Sequence, residues 1–338
     1  MQKLLSSIAA GALALAATLI GSSGGLAQGF YEGKVVTLIV PHSASGGFAQ
    51  YAQLLAPRLQ AQLKADDVRI EHHTGAGGIL GINLVWHAEP DGLTIGLSSG
   101  SSIMLAYLAE GEGVEFDATK FTYLGRVASD DRVIFVGKDS AINTVEDAVN
   151  LGRPFKVASQ GVDDDFYAMA MISDAAGFDV QFITGYEGGG DTTLAVIKGD
   201  ADGRLTSWTS AMSPVKAGDA RPLISIGSER HADFPDVPTV LEVVTDPAKQ
   251  ATVQSLMNIQ ALHRTFFGPP EMDPVATAEM RDAVAAVLAD PETLAATEGT
   301  ELTLSSMHGD EQTKIVADLY AASGEIPALL KAAEQSIK

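Results

Sequence analysis

The chain has 338 residues, 46% of them hydrophobic and 19% charged, which is enough apolar material for two domains of ordinary size. Its formal net charge of −21 excludes a nucleic-acid-binding function, because phosphates need a basic protein face. The absence of cysteine excludes a disulfide framework, a thiolate metal site and a lipid-bearing cysteine.

Residues 1–27 are predicted to be a secretory signal peptide. Lys3 precedes an apolar run over residues 4–20, and small and polar residues follow, with Gly25 and Ala27 just before the expected cleavage at Gln28. A membrane anchor is the alternative interpretation, but the run is barely long enough to span a bilayer. We therefore expect a soluble, monomeric protein of the periplasm.

Strands and helices alternate between residues 35 and 108. "VVTLIVP", "VRIEHHT" and "LTIGLSS" have strand character, and helices are predicted over 49–63 and 79–87. In the first helix the small and apolar residues recur at helical spacing on one face, and Pro57 is expected to kink it. This face consists of Ala52, Leu55, Ala56, Leu59 and Leu63. The alternation predicts βαβ units and a parallel sheet.

A second alternating set begins near residue 133. Its predicted strands are "VIFVG", "FKVAS", "VQFIT", "GRLTSW" and "RPLISIG", with helices after Thr144 and over 164–176 and 191–198. The last hundred residues are predicted to be mostly helical. We therefore predict an α/β fold of two similar halves, each with a parallel or mixed sheet flanked by helices. Residues 28–128 and 228–338 form domain 1, and residues 129–227, inserted into it, form domain 2.

The loop after the first strand, residues 41–48, is a candidate anion site. Ser43, Ser45, Gly46 and Gly47 lack bulk and precede a helix whose first N–H groups have no internal partner. The loop has no lysine, which favours a singly charged carboxylate over a nucleotide phosphate. The same pattern is also typical of a strand–helix turn that needs small residues only for packing.

The segment "TGYEGGGDTTL" repeats this design in the second half. Gly188, Gly189 and Gly190 follow a predicted strand, and Asp191 is the expected cap of the next helix. Two glycine-rich loops, one in each half, could hold a carboxylate between them through backbone N–H groups. The acidic run Asp163 to Asp165 could bind a cation or an amine, but we favour the interpretation that it complements a helix dipole.

"GLSSG", residues 96–100, matches the G-x-S-x-G pattern of a hydrolase, in which Ser98 would be the nucleophile. A base would have to come from a later histidine such as His231, His263 or His308, and none has a context that marks it. A secreted serine hydrolase is therefore the alternative function. The histidines have no metal-site spacing, and we expect neither a metal nor an organic cofactor.

The ordered set of motifs resembles the tripartite tricarboxylate transporter substrate-binding proteins, the Bug family of periplasmic receptors. It comprises "VTLIVPHSASGGFAQ", "HHTGAGGILG", "EPDGLTIGL", "FTYLGRV", "GYEGGGDTTLAVIKGDADG", "FPDVPTVLE" and "FGPPEMDPVATAEM". The resemblance implies a two-domain periplasmic binding protein fold with a ligand cleft between the domains. It also implies a receptor, not an enzyme, that carries a small organic carboxylate to membrane transporter subunits.

The resemblance further implies which residues face the cleft. In the loops named above they are Ser43 to Ala49 and Gly188 to Thr192, and elsewhere Ser99, Ser101, Ser159, Gln160 and Gly161. This chain departs from the family where an acidic residue is usual, since it has Ala49 there. Phe48 and Trp208, if both reach the cleft, would favour an aromatic or bulky ligand. An orphan sensor that signals to a kinase remains a third possible function.

Overall fold

The computed structural model describes residues 29–44, 46–300 and 302–335, and it confirms an α/β fold built on two sheets. The predicted signal peptide and Ser45 lie outside the described residues. The strands are β1 (Val35–Val40), β2 (Asp67–His72), β3 (Thr94–Ser99), β4 (Thr122–Ala128), β5 (Arg132–Gly137), β6 (Phe155–Ala158), β7 (Val180–Ile183), β8 (Gly203–Ser207), β9 (Ala220–Ile226), β10 (Arg264–Gly268) and β11 (Met307–His308). The helices are α1 (Gly47–Leu63), α2 (Ile79–Trp86), α3 (Gly100–Ala109), α4 (Val145–Val149), α5 (Asp164–Ala176), α6 (Gly189–Lys198), α7 (Trp208–Lys216), α8 (Val240–Val243), α9 (Pro247–Gln260), α10 (Pro274–Ala289), α11 (Pro291–Ala295), α12 (Gly309–Ala321) and α13 (Ile326–Gln335).

The first sheet has six strands in the order β11-β4-β10-β3-β1-β2. Strand β1 runs parallel to β2 and β3, as the alternating pattern predicts, whereas β10 is antiparallel to β3 and β4. The predicted apolar face of α1 is buried, and α1 packs beside α10 over this sheet. Helix α1 starts at Gly47, two residues earlier than predicted, and continues past Pro57.

The second sheet has five strands in the order β7-β6-β8-β5-β9. Strand β6 is parallel to β7 and β8, but β5 is antiparallel to β8 and β9, so the sheet is mixed. Strand β5 is buried on both faces: Val133 and Phe135 pack into the core of α6 and α7, and Ile134 and Val136 into the core that contains α5. A continuous apolar strand is the expected signature of this position.

The two halves share a hydrophobic core in addition to the chain crossings at residues 129–131 and 227–263. One hydrophobic core contains residues of α3, α5, α9 and α13, and α13 packs on both α3 and α5. In α13, Leu330 is fully buried and Glu334 accepts a hydrogen bond from Tyr167. The predicted domain boundaries at 128/129 and 227/228 stay a prediction. Helices α8 and α9, which this prediction assigns to domain 1, pack on α5, which covers the five-stranded sheet.

Gly203 tests the packing inside the second sheet. A β-carbon there would lie 2.5 Å from the Phe135 carbonyl oxygen and 2.7 Å from the Phe155 ring. Gly203→Ala should therefore lower the free energy of unfolding by about 1–3 kcal/mol, because β5 and β6 must move apart. Gly190→Ala is the control, since a β-carbon there meets nothing within 4 Å. Equal urea midpoints for the two variants would contradict this packing.

Candidate functional site

A cavity of about 550 Å³ lies between the two halves. Five strand-to-helix junctions contribute to it, namely β1–α1, β2–α2, β6–α5, β7–α6 and β8–α7. Ligands of open α/β sheets bind outside the carboxyl ends of the strands, which is where these junctions lie. The lining residues are Pro41, His42, Ser43, Gly46, Gly47, Phe48, residues 74–78, Arg132, Gln160, residues 163–165, Tyr186, Glu187, Gly189, Thr206, Ser207, Ser210, His263 and Arg264.

The first glycine-rich loop reaches the cavity. Ser43, Gly46, Gly47 and Phe48 all line it. Gly46 is the N-cap of α1 and offers no side-chain acceptor, and the first turn of α1 carries no acidic residue. The first N–H groups of this helix are therefore available to an anion in the cavity. Ala49 is 1% exposed and packs inward, away from the lining.

The second glycine-rich loop faces the first across the cavity. Gly188 is the N-cap of α6, again without a side-chain acceptor, and Gly189 lines the cavity. A β-carbon at Gly188 would lie 3.4 Å from Ser43 Oγ, so the two loops approach each other closely here. The predicted residues after Gly189 do not line the cavity: Gly190 and Asp191 are exposed, and Thr192 is buried.

Arg132 forms the floor of the cavity with the acidic run. This buried guanidinium donates to both Asp164 and Asp165. The predicted Ser99 and Ser101 are buried and do not line the cavity; their hydroxyls donate to Asp164 Oδ2 at 2.8 and 2.7 Å. Burial alone would raise the pKa of Asp164, but the Arg132 guanidinium and the hydroxyls of Ser101 and Ser99 hold it well below its usual range. Asp164 is therefore an anion fixed by both halves.

Arg204 fixes the second glycine-rich loop through hydrogen bonds. It donates to the Gly189 carbonyl oxygen at 2.6 Å and to the Thr192 hydroxyl, and it lies 3.7 Å from Asp165. Thr192 thus acts in the support of the loop, not in the cavity wall. Because Arg204 is buried, these contacts fix the start of α6 against β8.

The guanidinium of Arg264 lies at the start of α1. Its centre lies 4.8 Å from the ring of Phe48 and 4.5 Å from that of Tyr51, and Nη2 is 4.0 Å from Asp130. Nη2 is also 3.3 Å from the place that a β-carbon of Gly47 would take. Its buried Nε has no hydrogen-bond partner in the described chain. The arrangement adds a cation to the donors of the helix N-terminus.

Ser98 of the hydrolase pattern has a histidine partner, but not one of those considered from the sequence. Its Oγ lies 3.2 Å from His42 Nε2, and burial lowers the pKa of His42 to about 4. Ser98 is 0% exposed and does not line the cavity, whereas His42 does and stacks on Phe48 with ring centroids 4.0 Å apart. A substrate in the cavity therefore meets the histidine ring and not the hydroxyl.

The remaining predicted residues divide between the cavity and the core. Gln160 lines the cavity. Ser159 is buried and donates to the Gly161 carbonyl oxygen at 2.7 Å, which shapes the turn before α5, and neither residue lines the cavity. Trp208 is 2% exposed; it donates to Ser225 at 3.1 Å and stacks on Phe234, so it belongs to the core.

Several cavity residues are not predicted from the sequence. Arg132 and Arg264 each begin an apolar strand, and a buried arginine at such a position is a signal for an ion pair with an acidic run elsewhere. The segment 74–78, "TGAGG", was part of the family resemblance, but no role was assigned to it. Its glycines at 75, 77 and 78 have positive φ values, which lets the backbone approach the cavity closely.

Residues 29–44, 46–300 and 302–335 contain no group of three or more His, Asp or Glu side chains placed to hold a metal ion. In the same residues, no helix combines the length and the apolar character needed to cross a bilayer.

The chain matches a known family and several relatives. Residues 52–330 match the family model described as "Tripartite tricarboxylate transporter family receptor". A protein of the tcbD-tcbE intergenic region of Pseudomonas sp. is 24% identical over 222 residues, and one of the ttuE-ttuC' intergenic region of Agrobacterium vitis is 28% identical over 229. These matches cover 64% of this chain but only 65% and 63% of the two relatives, slightly less than two thirds of their lengths.

Solved structures show the same fold. The periplasmic binding protein BugD superposes with a TM-score of 0.73 at 19% identity, over 90% of this chain and 99% of BugD. MatC of Rhodopseudomonas palustris with bound malate and another R. palustris protein with adipate both give a TM-score of 0.73 at 18% identity. Each covers 88% of this chain, and this chain covers 99% and 97% of them. The family matched consists of solute-binding receptors and not enzymes, and the chain belongs to it: it is a member of the tripartite tricarboxylate transporter receptor family.

Proposed function

We propose that this protein is a periplasmic receptor that captures a small organic carboxylate in the cavity and delivers it to a membrane transporter of the tripartite tricarboxylate type. One observation carries the proposal. Helices α1 and α6 begin at the same cavity, from opposite halves, and neither first turn is capped by a side chain. The two N-termini thus offer backbone donors to one shared anion.

The charge at the first loop suits one carboxylate. Arg264 lies beside Gly47 and supplies a cation that is held by stacking on Phe48 and by a long contact to Asp130. A carboxylate that accepts hydrogen bonds from a guanidinium and from backbone N–H groups forms charge-assisted bonds, which are about twice as strong as neutral ones. The malate and adipate bound to the two R. palustris proteins are small acids and support this ligand class.

The contacts across the cavity require the two halves to be close together. Ser43 meets Gly188, and a β-carbon at Gly77 would lie 2.6 Å from the Val162 carbonyl oxygen. These contacts enclose the cavity at two points, so a ligand enters after the halves separate. We infer that the ligand stabilises the closed arrangement by contacting both loops at once, with bending at residues 129–131 and near residue 227.

A thermal-shift screen tests the ligand class. The panel contains aliphatic and aromatic mono- and dicarboxylates with their amides as matched controls. Binding to the folded state stabilises it by about 2.7 kcal/mol at a hundredfold excess of ligand over Kd, so the melting temperature should rise with an acid and not with its amide. Equal shifts with an acid and its amide, or no shift with any acid, would contradict carboxylate capture.

Two glycine variants test the contribution of both loops. Gly47→Val and Gly189→Val should abolish binding of the acid found in the screen, because the added methyl groups project towards Arg264 and Arg204 and crowd the helix starts. Circular dichroism should show an intact fold. Uptake of the labelled acid by cells that carry either variant should fall in parallel, if the receptor delivers its ligand to a transporter.

Ala285→Val is the matched control, since Ala285 is an exposed residue of α10 remote from the cavity lining. Its affinity, measured by isothermal titration calorimetry, should equal that of the unmodified chain. Full affinity in both glycine variants would refute the two-loop site.

A further inference from the structure

Three arginines and four aspartates lie together at the floor of the cavity, so one acid has no cation to pair with. The cluster consists of Arg132, Arg204, Arg264, Asp130, Asp163, Asp164 and Asp165. Arg132 pairs with Asp164 and Asp165. Arg204 also approaches Asp165, and Arg264 approaches Asp130. These contacts involve every arginine of the cluster, and the acid without one is Asp163.

Asp163 caps α5 with one of its two oxygens. Oδ1 accepts a hydrogen bond from the Phe166 N–H at 2.9 Å. The described part of the chain gives Oδ2 no hydrogen-bond partner and brings no basic nitrogen within 4.0 Å of this carboxyl group. The side chain is partly exposed and lines the cavity. A ligand that fills the cavity removes water from Oδ2, and an ionised carboxylate with neither water nor a cation is costly.

His263 is an independent indication of a polar ligand group. It is 3% exposed and lines the same cavity, and its Nδ1 has no hydrogen-bond partner among the described residues. A buried polar atom without a partner is costly unless a ligand satisfies it. Burial, and then the nearby Arg132 and Arg264, hold the pKa of His263 well below the usual value, so the ring is neutral. It therefore supplies no cation that could balance Asp163.

We propose that Asp163 contacts the bound acid as a neutral carboxyl group, whose Oδ2–H donates a hydrogen bond to an oxygen of the ligand, so that the receptor captures the carboxylate with a proton on Asp163. The inference rests on the proposed function, which supplies the anionic ligand. With this proton in place, the three arginines balance the three other aspartates of the cluster. The ligand then finds a donor instead of a fourth negative charge, and a hydrogen bond to an ionised acceptor is about twice as strong as a neutral one.

The surroundings of Asp163 favour the protonated form. The titratable and charged groups around it are Asp164, Asp165 and Tyr167 on α5, Arg204 on β8 and Arg132 on β5. The segment 74–78, which packs against it, carries no charged side chain. Burial, and then the carboxylates of Asp165 and Asp164, raise the pKa of Asp163 to about 8, while the Phe166 N–H and Arg204 oppose the shift. Asp163 therefore keeps its proton at pH 7, and an anionic ligand beside it raises the pKa further.

Calorimetry across a range of pH tests the inference. The probes are malate, adipate, benzoate and the tightest binder of the thermal-shift panel, all of which are ionised from pH 7 to pH 9. Above pH 8 the free receptor has lost the Asp163 proton and must take one up to bind, so the affinity should be about tenfold lower at pH 9 than at pH 7. Titrations at pH 8 in buffers of different ionisation enthalpy should show uptake of about half a proton per ligand.

Asp163→Asn is the decisive variant, because asparagine caps α5 and offers an amide N–H donor but cannot ionise. The ratio of its affinities at pH 7 and pH 9 should be about 1, and the proton uptake at pH 8 should disappear. Asp163→Ala lacks the donor as well. It should bind about 10–100-fold more weakly than Asp163→Asn at pH 7, the range that one hydrogen bond to a charged group provides, and circular dichroism checks that it folds.

Asp200→Asn is the matched control, because it removes one exposed negative charge from the same half. It should keep the tenfold dependence on pH. Equal affinities of the unmodified chain at pH 7 and pH 9 would overturn the inference while leaving carboxylate capture intact. So would an Asp163→Asn variant that keeps the dependence on pH, or an Asp163→Ala variant that binds as tightly as Asp163→Asn. Failure of every probe to bind at either pH would instead overturn the proposed function, and this inference with it.

Discussion

The contact between Arg132 and Asp164 is the constraint on which the cleft depends. Arg132 begins β5, Asp164 begins α5, and the hydroxyls of Ser99 and Ser101 bring the start of α3 from the other half to the same carboxylate. One strand and two helices, contributed by both halves, thus meet at one buried carboxylate. The two glycine-rich loops can face each other only because this junction fixes the halves at the base of the cavity.

Burying the charges of Arg132 and Asp164 costs desolvation free energy, and the geometry of their contacts explains how this cost is offset. Removing a guanidinium and a carboxylate from water costs several kcal/mol per ion, and only short contacts with further hydrogen bonds offset the loss. Asp164 receives both, from Arg132 and from two hydroxyls. Such a pair contributes little net stability compared with apolar packing, but it admits few alternative arrangements. We infer that it sets the relative position of the halves, while the shared apolar core of α3, α5, α9 and α13 supplies the stability.

Local pattern was enough to predict β1, β2 and β3 of the first half and the helices that follow β1 and β2. The apolar spacing in α1 and the strand–glycine–helix order at β1 depend on neighbours in sequence, and both predictions are confirmed. Helix α5 was predicted with its observed ends, 164 and 176, because its start is marked by an acidic cap. Strand β10 was not predicted: "RTFFG" is short, has no alternation, and is fixed by pairing with β3 and β4 far away in the sequence.

The site residues also differ in whether neighbours in sequence or distant contacts determine their position. Only those at helix starts can be identified from the local pattern. Gly46, Gly47 and Gly189 could be identified because a helix start is a local feature, and the structure places them at the cavity. Ser99, Ser101 and Thr192 also stand at helix starts, yet their hydroxyls are directed to Asp164 and Arg204. Arg132, Arg264 and His263 reach the cavity through tertiary packing. The segments of Arg132 and Arg264 show only an arginine at the start of an apolar strand, and the segment of His263 shows no signal.

The helix starts around the cavity fall into two kinds, and the difference connects fold with function. Helices α3, α5 and α7 are capped by Ser99, Asp163 and Ser207, so each satisfies its own first turn. Helices α1, α2 and α6 begin after Gly46, Gly78 and Gly188, which have no side chain to offer. A glycine N-cap sacrifices only a few tenths of a kcal/mol relative to serine or aspartate. At that small cost the first N–H groups stay available and the backbone can approach a bound molecule. In the proposed function, a ligand accepts hydrogen bonds at the helix starts that follow a glycine, whereas each of the other helices has a side-chain acceptor of its own.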